Sequence, residues 1–197
     1  MARPQAYDTN DLLQKATDIF WKKGYNNTSI KDLEDATGVS RISMYNSYQS
    51  KEGLFLGIIK LYHDKTMAYF DKTLESGDVD DILILFESMA SGSSRTPATQ
   101  YGCIMANSIV DLHSSSPQIQ TKIREYREGI HAKFLDILQR SKDQLIPSFD
   151  PESGAELLVT ILWGIFMTNR LYSGSTHSAM AVTQVRELLR LWRCKKQ

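Results

Sequence analysis

The stretch GVSRISMYNSYQSKEGLF, residues 38–55, places an Arg, an Asn, four serines and two tyrosines within a short span. Its spacing reads as one short helix and the start of the next. A helix serving only a core has no use for so many polar groups; a surface that meets something polar and charged does. Ser40 is placed to cap a helix over residues 41–48. Its inward positions are Met44, Tyr48 and either Ile42 or Val39, and Arg41, Ser43, Tyr45 and Asn46 point outward. Upstream, Thr28 stands as an N-cap before SIKDLEDA, where Ile30, Leu33 and Ala36 keep helical spacing and Gly38 ends the helix. Two short helices about a glycine turn, the second with a polar outer face, form a helix-turn-helix. The second helix of such a unit enters the DNA major groove. There Arg and Asn read base edges, and Ser, Thr, Tyr and Lys hold phosphates.

Outward from this unit the signal stays helical. Residues 8–23 carry Leu12, Ala16, Ile19 and Phe20 on one face, and Gly24 follows at the C-cap. After it, Ser50 caps a long helix over residues 51–76, with a stripe of Leu54, Phe55, Ile58, Leu61, Tyr62, Lys65, Tyr69 and Leu74 that SGDVDD breaks. Further helices are expected at residues 80–90, 100–112, 117–145, 152–172 and 179–194, with Asp150 or Ser153 at the start of the fourth. SGSSRTPATQYG, IPSFDPESG and SGSTHS read as loops. Sustained period-2 alternation and Asn-Gly or Asp-Gly hairpins are missing. The expected class is all-α: a three-helix DNA-binding domain over residues 1–50 and a larger helical domain over residues 51–197.

Composition bounds the function. Of 197 residues 42% are hydrophobic, enough for a core, and 23 basic side chains balance 23 acidic ones. That balance argues against a non-specific nucleic-acid coat, which carries a basic excess. It is compatible with a dimer that meets DNA through two small surfaces. Over residues 1–51 seven Lys/Arg face six Asp/Glu, the acids clustering at residues 32–35. The longest apolar run, LLVTILWGIFM, is short of the ~20 residues a bilayer span needs, and MARPQAYDTND lacks a secretory apolar run. Two cysteines, Cys103 and Cys194, are too few for a disulfide framework or a Cys-based zinc site. The expected compartment is the cytoplasm.

At this point the residues resemble a known family. ATDIFWKKGYNNTSIKDLEDATGVSRISMYNSYQSKEGLF is similar to the DNA-binding segment of the TetR family of transcriptional regulators. The shared features are Ile19-Phe20, Gly24-Tyr25, Thr28-Ser29, Ala36 before Gly38-Val39-Ser40, Tyr45, Tyr48, and Ser50-Lys51-Glu52-Gly53-Leu54. The chain departs from the family at Ile42, usually Gly or Pro, at Ser43, often Thr, at Ser47, usually His, and at Tyr48, usually Phe. Such a His often contacts a phosphate, and Ile42 is placed to meet a thymine methyl. The likeness fades after about Met67, although TQYGCIMANSIVDL resembles a Gly-Cys-x-x-x-Asn stretch of a family subset. The resemblance implies a homodimer through helices at about 152–172 and 179–194, and a small-molecule effector held inside the second domain.

The expected DNA contacts are Thr28, Ser29, Arg41, Ile42, Ser43, Tyr45, Asn46, Ser47 and Lys51. Thr28 and Ser29 suit a phosphate at a helix N-terminus. For the effector pocket the aromatic and Met residues Tyr62, Phe70, Phe86, Tyr101, Met105, Tyr126, Trp163 and Met167, with Cys103, are the candidates, against the plainer reading of each as core. Trp163 has a third reading, packing across a dimer two-fold. Cys103 raises a second possibility, a thiol sensor of electrophiles, which requires a lowered pKa; beside Ile and Met a buried hydrophobe is the simpler reading. The four His show no ligand spacing, so neither a metal nor a cofactor is expected. Without a phosphate loop, nucleophile elbow or acid pair an enzyme is not expected. The reading is a ligand-responsive repressor released from a near-palindromic double-stranded operator by an unknown small-molecule effector, with an architectural DNA-binding protein of the same fold as the alternative.

Overall fold

Each helix of the first domain begins and ends at a residue with a local physical reason to be there. The structure, a computed structural model, describes residues 7–90, 101–109, 116–172 and 176–194. Helix α1, Thr9–Lys23, is capped by Asp8, whose carboxylate accepts from the Asn10 N–H at 2.7 Å. It buries Leu12, Leu13, Ala16, Phe20 and Trp21, and stops at Gly24 with φ 80°. Helix α2, Ile30–Thr37, is capped by Ser29, not by Thr28 as expected. Ser29 and Asp32 form a reciprocal capping box, each side chain accepting from the other's backbone N–H. Thr28 is packed inside, and its hydroxyl donates to the Gly24 carbonyl at 2.7 Å. Gly38 closes α2 in the left-handed region, with φ 71° and ψ 7°.

Helix α3, Arg41–Tyr48, is capped by Ser40 as expected. Met44 and Val39 turn inward, whereas Ile42 is 74% exposed, so of the two alternatives Val39 takes the inner position. Ser50 caps α4, Lys51–Thr73. A Cβ on Gly53 would lie 1.9 Å from the Tyr48 carbonyl oxygen, so only glycine lets the end of α3 sit on the first turn of α4. Along α4 the buried side chains are Leu54, Phe55, Ile58, Ile59 and Phe70. Lys65 and Tyr69, read as part of the stripe, are exposed; the core-facing position is Phe70, one residue on.

The second domain continues with α5, Val79–Ala90, a single turn α6, Ile104–Asn107, then α7, Pro117–Arg140, α8, Pro151–Leu171, and α9, Thr176–Trp192. The long helix expected at 100–112 does not form over its described part, because Gly102 adopts φ 71°. A Cβ there would meet the Phe166 carbonyl oxygen at 2.4 Å. Residues 100 and 110–112 of that expectation lie outside the described residues. Helix α7 ends at Arg140, five residues before the expected end, and a 3-10 turn, Lys142–Gln144, follows. Helix α8 is capped by Asp150, and α9 starts three residues before the expected 179. Among the described residues there is no strand, only an isolated bridge between Leu145 and Arg193. Helix α7 packs along α8, and α9 lies across α5 and α8. Tyr126, Phe134, Leu158, Leu162 and Phe166 fill the seam, all buried. Each such side chain contributes about 1.5–3 kcal/mol of transfer free energy.

Candidate nucleic-acid interface

Helices α2 and α3 present one continuous polar surface. Arg41, Asn46 and Ser47 are exposed with Ile42, while Ser43 and Tyr45 are half-buried. The Arg41 guanidinium stands 5.1 Å from the centre of the Tyr45 ring, close enough for a cation–π contact that limits its rotamers. The Arg41 backbone N–H donates to the Glu34 carboxylate at 2.5 Å. Two of the acids whose clustering made this domain look neutral are therefore engaged locally. Glu34 holds the start of α3, and Asp32 serves the capping box and pairs with Lys23 at 2.6 Å. Hydrogen bonds from Lys23 and Ser29 hold the Asp32 carboxyl well below the usual carboxylate range.

Lys51 begins α4 with its ammonium 4.6 Å from the Tyr25 ring centre. Tyr25 is fastened between Phe20 and Phe55, at 6.1 and 4.8 Å between ring centres. Burial, then the neighbouring Glu52, pushes its phenol pKa up. Ser29 is exposed at the N-terminus of α2. Thr28 is buried beside it, so it belongs to the packing behind the surface and not to the surface as expected. One residue of this region was not foreseen. The Tyr7 hydroxyl donates to the Ser43 carbonyl at 3.2 Å and lies 2.7 Å from the Ser47 hydroxyl. Nothing in local periodicity links Tyr7, before the cap of α1, to α3.

The nine residues expected around an effector are spread over several places in the fold. Tyr62, Cys103 and Tyr126 come together: the Cys103 thiol lies 3.6 Å from the Tyr126 hydroxyl, and the two tyrosine rings are 6.0 Å apart. Phe70, Phe86, Cys103, Met105 and Tyr126 are fully buried, with Phe86 stacked on Phe134 at 6.0 Å. Tyr101 sits at the domain junction, 6.0 Å below the Lys22 ammonium. Trp163 is half-buried, and Met167 is 38% exposed on α8. Burial pushes the Cys103 thiol pKa up and the Tyr62 and Tyr126 phenols well above the ordinary value. The lowered pKa that a thiol sensor needs is thus not built around Cys103.

Two grooves open instead along the seam between α4 and α7. One, of about 770 Å³, is lined by Leu56, Ile59, His63, Pro117 and Thr121 among others. The other, of about 490 Å³, is lined by residues including His63, Met67, Leu74 and Ile137. None of the nine expected residues lines either groove. Behind them, the loop at Gly102 ties the two domains. The Trp21 indole N–H donates to the Gly102 carbonyl at 2.9 Å, and the Trp21 ring packs edge-on against Tyr62.

Comparison with known proteins agrees with this geometry. Residues 12–58 match the profile of bacterial regulatory proteins of the tetR family, and residues 79–185 match a tetracyclin repressor-like C-terminal domain. The chain is 29% identical over 195 residues to the HTH-type transcriptional repressor ComR of Escherichia coli, covering 96% of this chain and 91% of ComR. It is 28% identical over 145 residues to the HTH-type regulator YezE of Bacillus subtilis, 73% of this chain and 75% of that one. The fold matches a TetR-family regulator from Cytophaga hutchinsonii with a TM-score of 0.84, at 16% identity and 95% of both chains. It also matches CifR, solved as a cysteine mutant with 26-bp double-strand operator DNA, with a TM-score of 0.79 at 23% identity, over 97% of this chain and 100% of CifR.

Proposed function

The chain belongs to the TetR family of bacterial transcriptional regulators, whose members are DNA-binding proteins and not enzymes, and from that premise we propose that it is a homodimeric, ligand-responsive repressor acting in the cytoplasm. The observation that carries the reading is the outward face of α3. Arg41, Ile42 and Asn46 stand exposed on a helix capped at its start by Ser40 and seated on α4 through Gly53. Arg41 and Asn46 read base edges and Ile42 meets a thymine methyl. Ser29, Ser43, Tyr45, Ser47 and Lys51 hold phosphates. The division of labour is the DNA-binding domain over residues 1–50 and the effector and dimerisation domain over residues 51–197.

Dimerisation uses α8 and α9. Leu157, Leu171, Met180 and Leu191 are exposed there, and the α9 side chains flank an apolar hollow with Ile161. Gly164 sits in the interior of α8 with open space where a Cβ would point. An interior helix glycine costs about 1 kcal/mol relative to alanine, an expense that close approach of a second helix explains. Two copies joined there place two α3 helices in successive major grooves of a near-palindromic double-stranded site. An effector in the α4–α7 grooves would bind one dimer geometry better than another and shift the population away from the operator-binding one. Helix α4 is the lever, since it packs on α1 and α3 at one end and on α5 and α7 at the other.

Genome-wide occupancy, read with transcript levels after deletion of the gene, tests this function. One or a few bound promoters whose transcripts rise on deletion are expected. Many dispersed sites without transcript changes would replace the repressor by an architectural protein.

A further inference from the structure

Helix α3 has little of its own to hold it in place. It is eight residues long, with Met44 as its fully buried side chain, no acidic residue of its own in the first turn and no basic one in the last; Glu34 of α2 holds only its first N–H. Two serines, an Asn and two tyrosines are modest helix formers, and eight residues make a marginal helix without tertiary support. The base-reading groups Arg41, Ile42 and Asn46 all depend on this helix. Tyr7 supplies support from the outside. Its ring packs against the core. Its hydroxyl donates to the carbonyl of Ser43 at 3.2 Å, which leaves its oxygen to accept the Ser47 hydroxyl proton at 2.7 Å. Ser43 and Ser47 are one helical turn apart, so a single phenol spans that turn.

We infer that Tyr7 is a positioning residue of the DNA interface, which orders the Ser43–Ser47 turn of α3 before DNA arrives. The inference rests on the DNA-binding reading above. Its physical content is pre-organisation: a turn already ordered does not have to be ordered on binding, so operator affinity is higher than the contacts alone provide. Tyr7 acts through Ser43 and Ser47 and carries no charge. Its loss therefore lowers specific affinity without changing the number of phosphates neutralised. A residue that merely stabilised the domain would not separate specific from non-specific binding.

The test uses Tyr7→Phe and Ser47→Ala in the full-length protein, with two independent readouts. The first is amide hydrogen exchange in free protein; Met44 to Tyr48 are expected to exchange faster in Tyr7→Phe, with helix α1 unchanged. The second is binding to the selected operator and to a random duplex at several salt concentrations. Tyr7→Phe is expected to bind the operator about tenfold more weakly, the scale of one to two neutral hydrogen bonds. Its affinity for random duplex is expected to fall distinctly less, through the Ser43 and Ser47 phosphate contacts alone, and its salt slope to stay at the wild-type value. Ser47→Ala is expected to weaken operator binding, and the double variant by less than the sum of the two single losses, since the Tyr7–Ser47 bond is shared. Unchanged exchange in α3, wild-type operator affinity, or an equal loss on operator and random DNA would each overturn the inference. Failure of the wild type to bind any operator would instead overturn the proposed function, and is seen before a variant is made.

Discussion

The Arg170 guanidinium, near the end of α8, donates at 2.6 Å to the main-chain carbonyl of Trp21, 149 residues earlier, and at 3.4 Å to that of Lys22. A cation from the second domain thus caps the C-terminal end of α1, where the helix dipole is negative and carbonyls lack partners. Next to it the Trp21 indole holds the Gly102 carbonyl, and Gly102 in turn rests on Phe166. Replacing Arg170 by Ala leaves these carbonyls to water, and an expected loss of about 1 kcal/mol follows. Gly102→Ala is expected to cost more, about 2–3 kcal/mol, since the left-handed backbone and the close Phe166 carbonyl act together. Denaturant melts at one protein concentration check both; equal effects would mean that the glycine is not a close-approach point.

The α2 cap carries a pH dependence of known sign. Asp32 titrates below its ordinary range because Lys23 and Ser29 bond its charged form. A depressed carboxyl adds stability at pH values above its unfolded pKa and loses it as the pH falls through its folded one. The stability difference between wild type and Asp32→Asn is therefore full at pH 7 and shrinks from about pH 4 downward. Ser29→Ala, which removes the other half of the box, is expected to cost about 1 kcal/mol. Unfolding curves at pH 7, 4 and 3 measure both, and a difference that grew on acidification would contradict the pairing.

How much of this domain was legible depended on the range of the interaction. Gly24, Gly38, Ser40 and Ser50 mark boundaries by their own chemistry, and each stands where its residue type suggested. The cap of α2 was misplaced by one residue because Thr28 and Ser29 are both good caps; Asp32, three residues after Ser29, decides between them. Gly102 shows the opposite limit. The residues around it have helical composition, and the break comes from its fit against Phe166, 64 positions away in numbering. Tyr7 on α3 and Arg170 on α1 are likewise long-range pairs without a periodic signature. The expected pocket residues line neither α4–α7 groove; helical spacing of aromatics also marks a core wherever helices pack, and Phe70, Phe86 and Tyr126 are buried there.

Thiol chemistry follows from burial. Cys103 is fully enclosed and its pKa is raised, whereas Cys194 is exposed near the C-terminus. Native protein is expected to react with one equivalent of a thiol reagent quickly, at Cys194, and with the second only on unfolding. Cys194→Ser is expected to remove the fast phase. Rapid native labelling of Cys103 would show that the Tyr62–Cys103–Tyr126 cluster opens readily and would restore the sensor reading.

The α8–α9 surface supplies a further prediction. Leu157→Glu and Leu191→Glu place charges on exposed apolar positions, so they are expected to leave the monomer folded and to raise the dimer dissociation constant at least tenfold. Sedimentation equilibrium measures that constant, and circular dichroism the fold. A wild-type protein that sediments as a monomer at micromolar concentration would remove the two-fold arrangement of α3 helices.

The central claim, that α3 reads a specific sequence, is tested most directly by sequencing the fragments that purified protein retains from a random duplex pool at ~150 mM salt, where non-specific binding is suppressed. The same selection is run with Arg41→Ala and Asn46→Ala. Wild type is expected to enrich one near-palindromic motif, and each variant to relax preference at its own symmetric pair of positions, by about 1–3 kcal/mol per contact. Enrichment of no motif by folded wild-type protein, or variants that keep the full motif, would contradict recognition through α3.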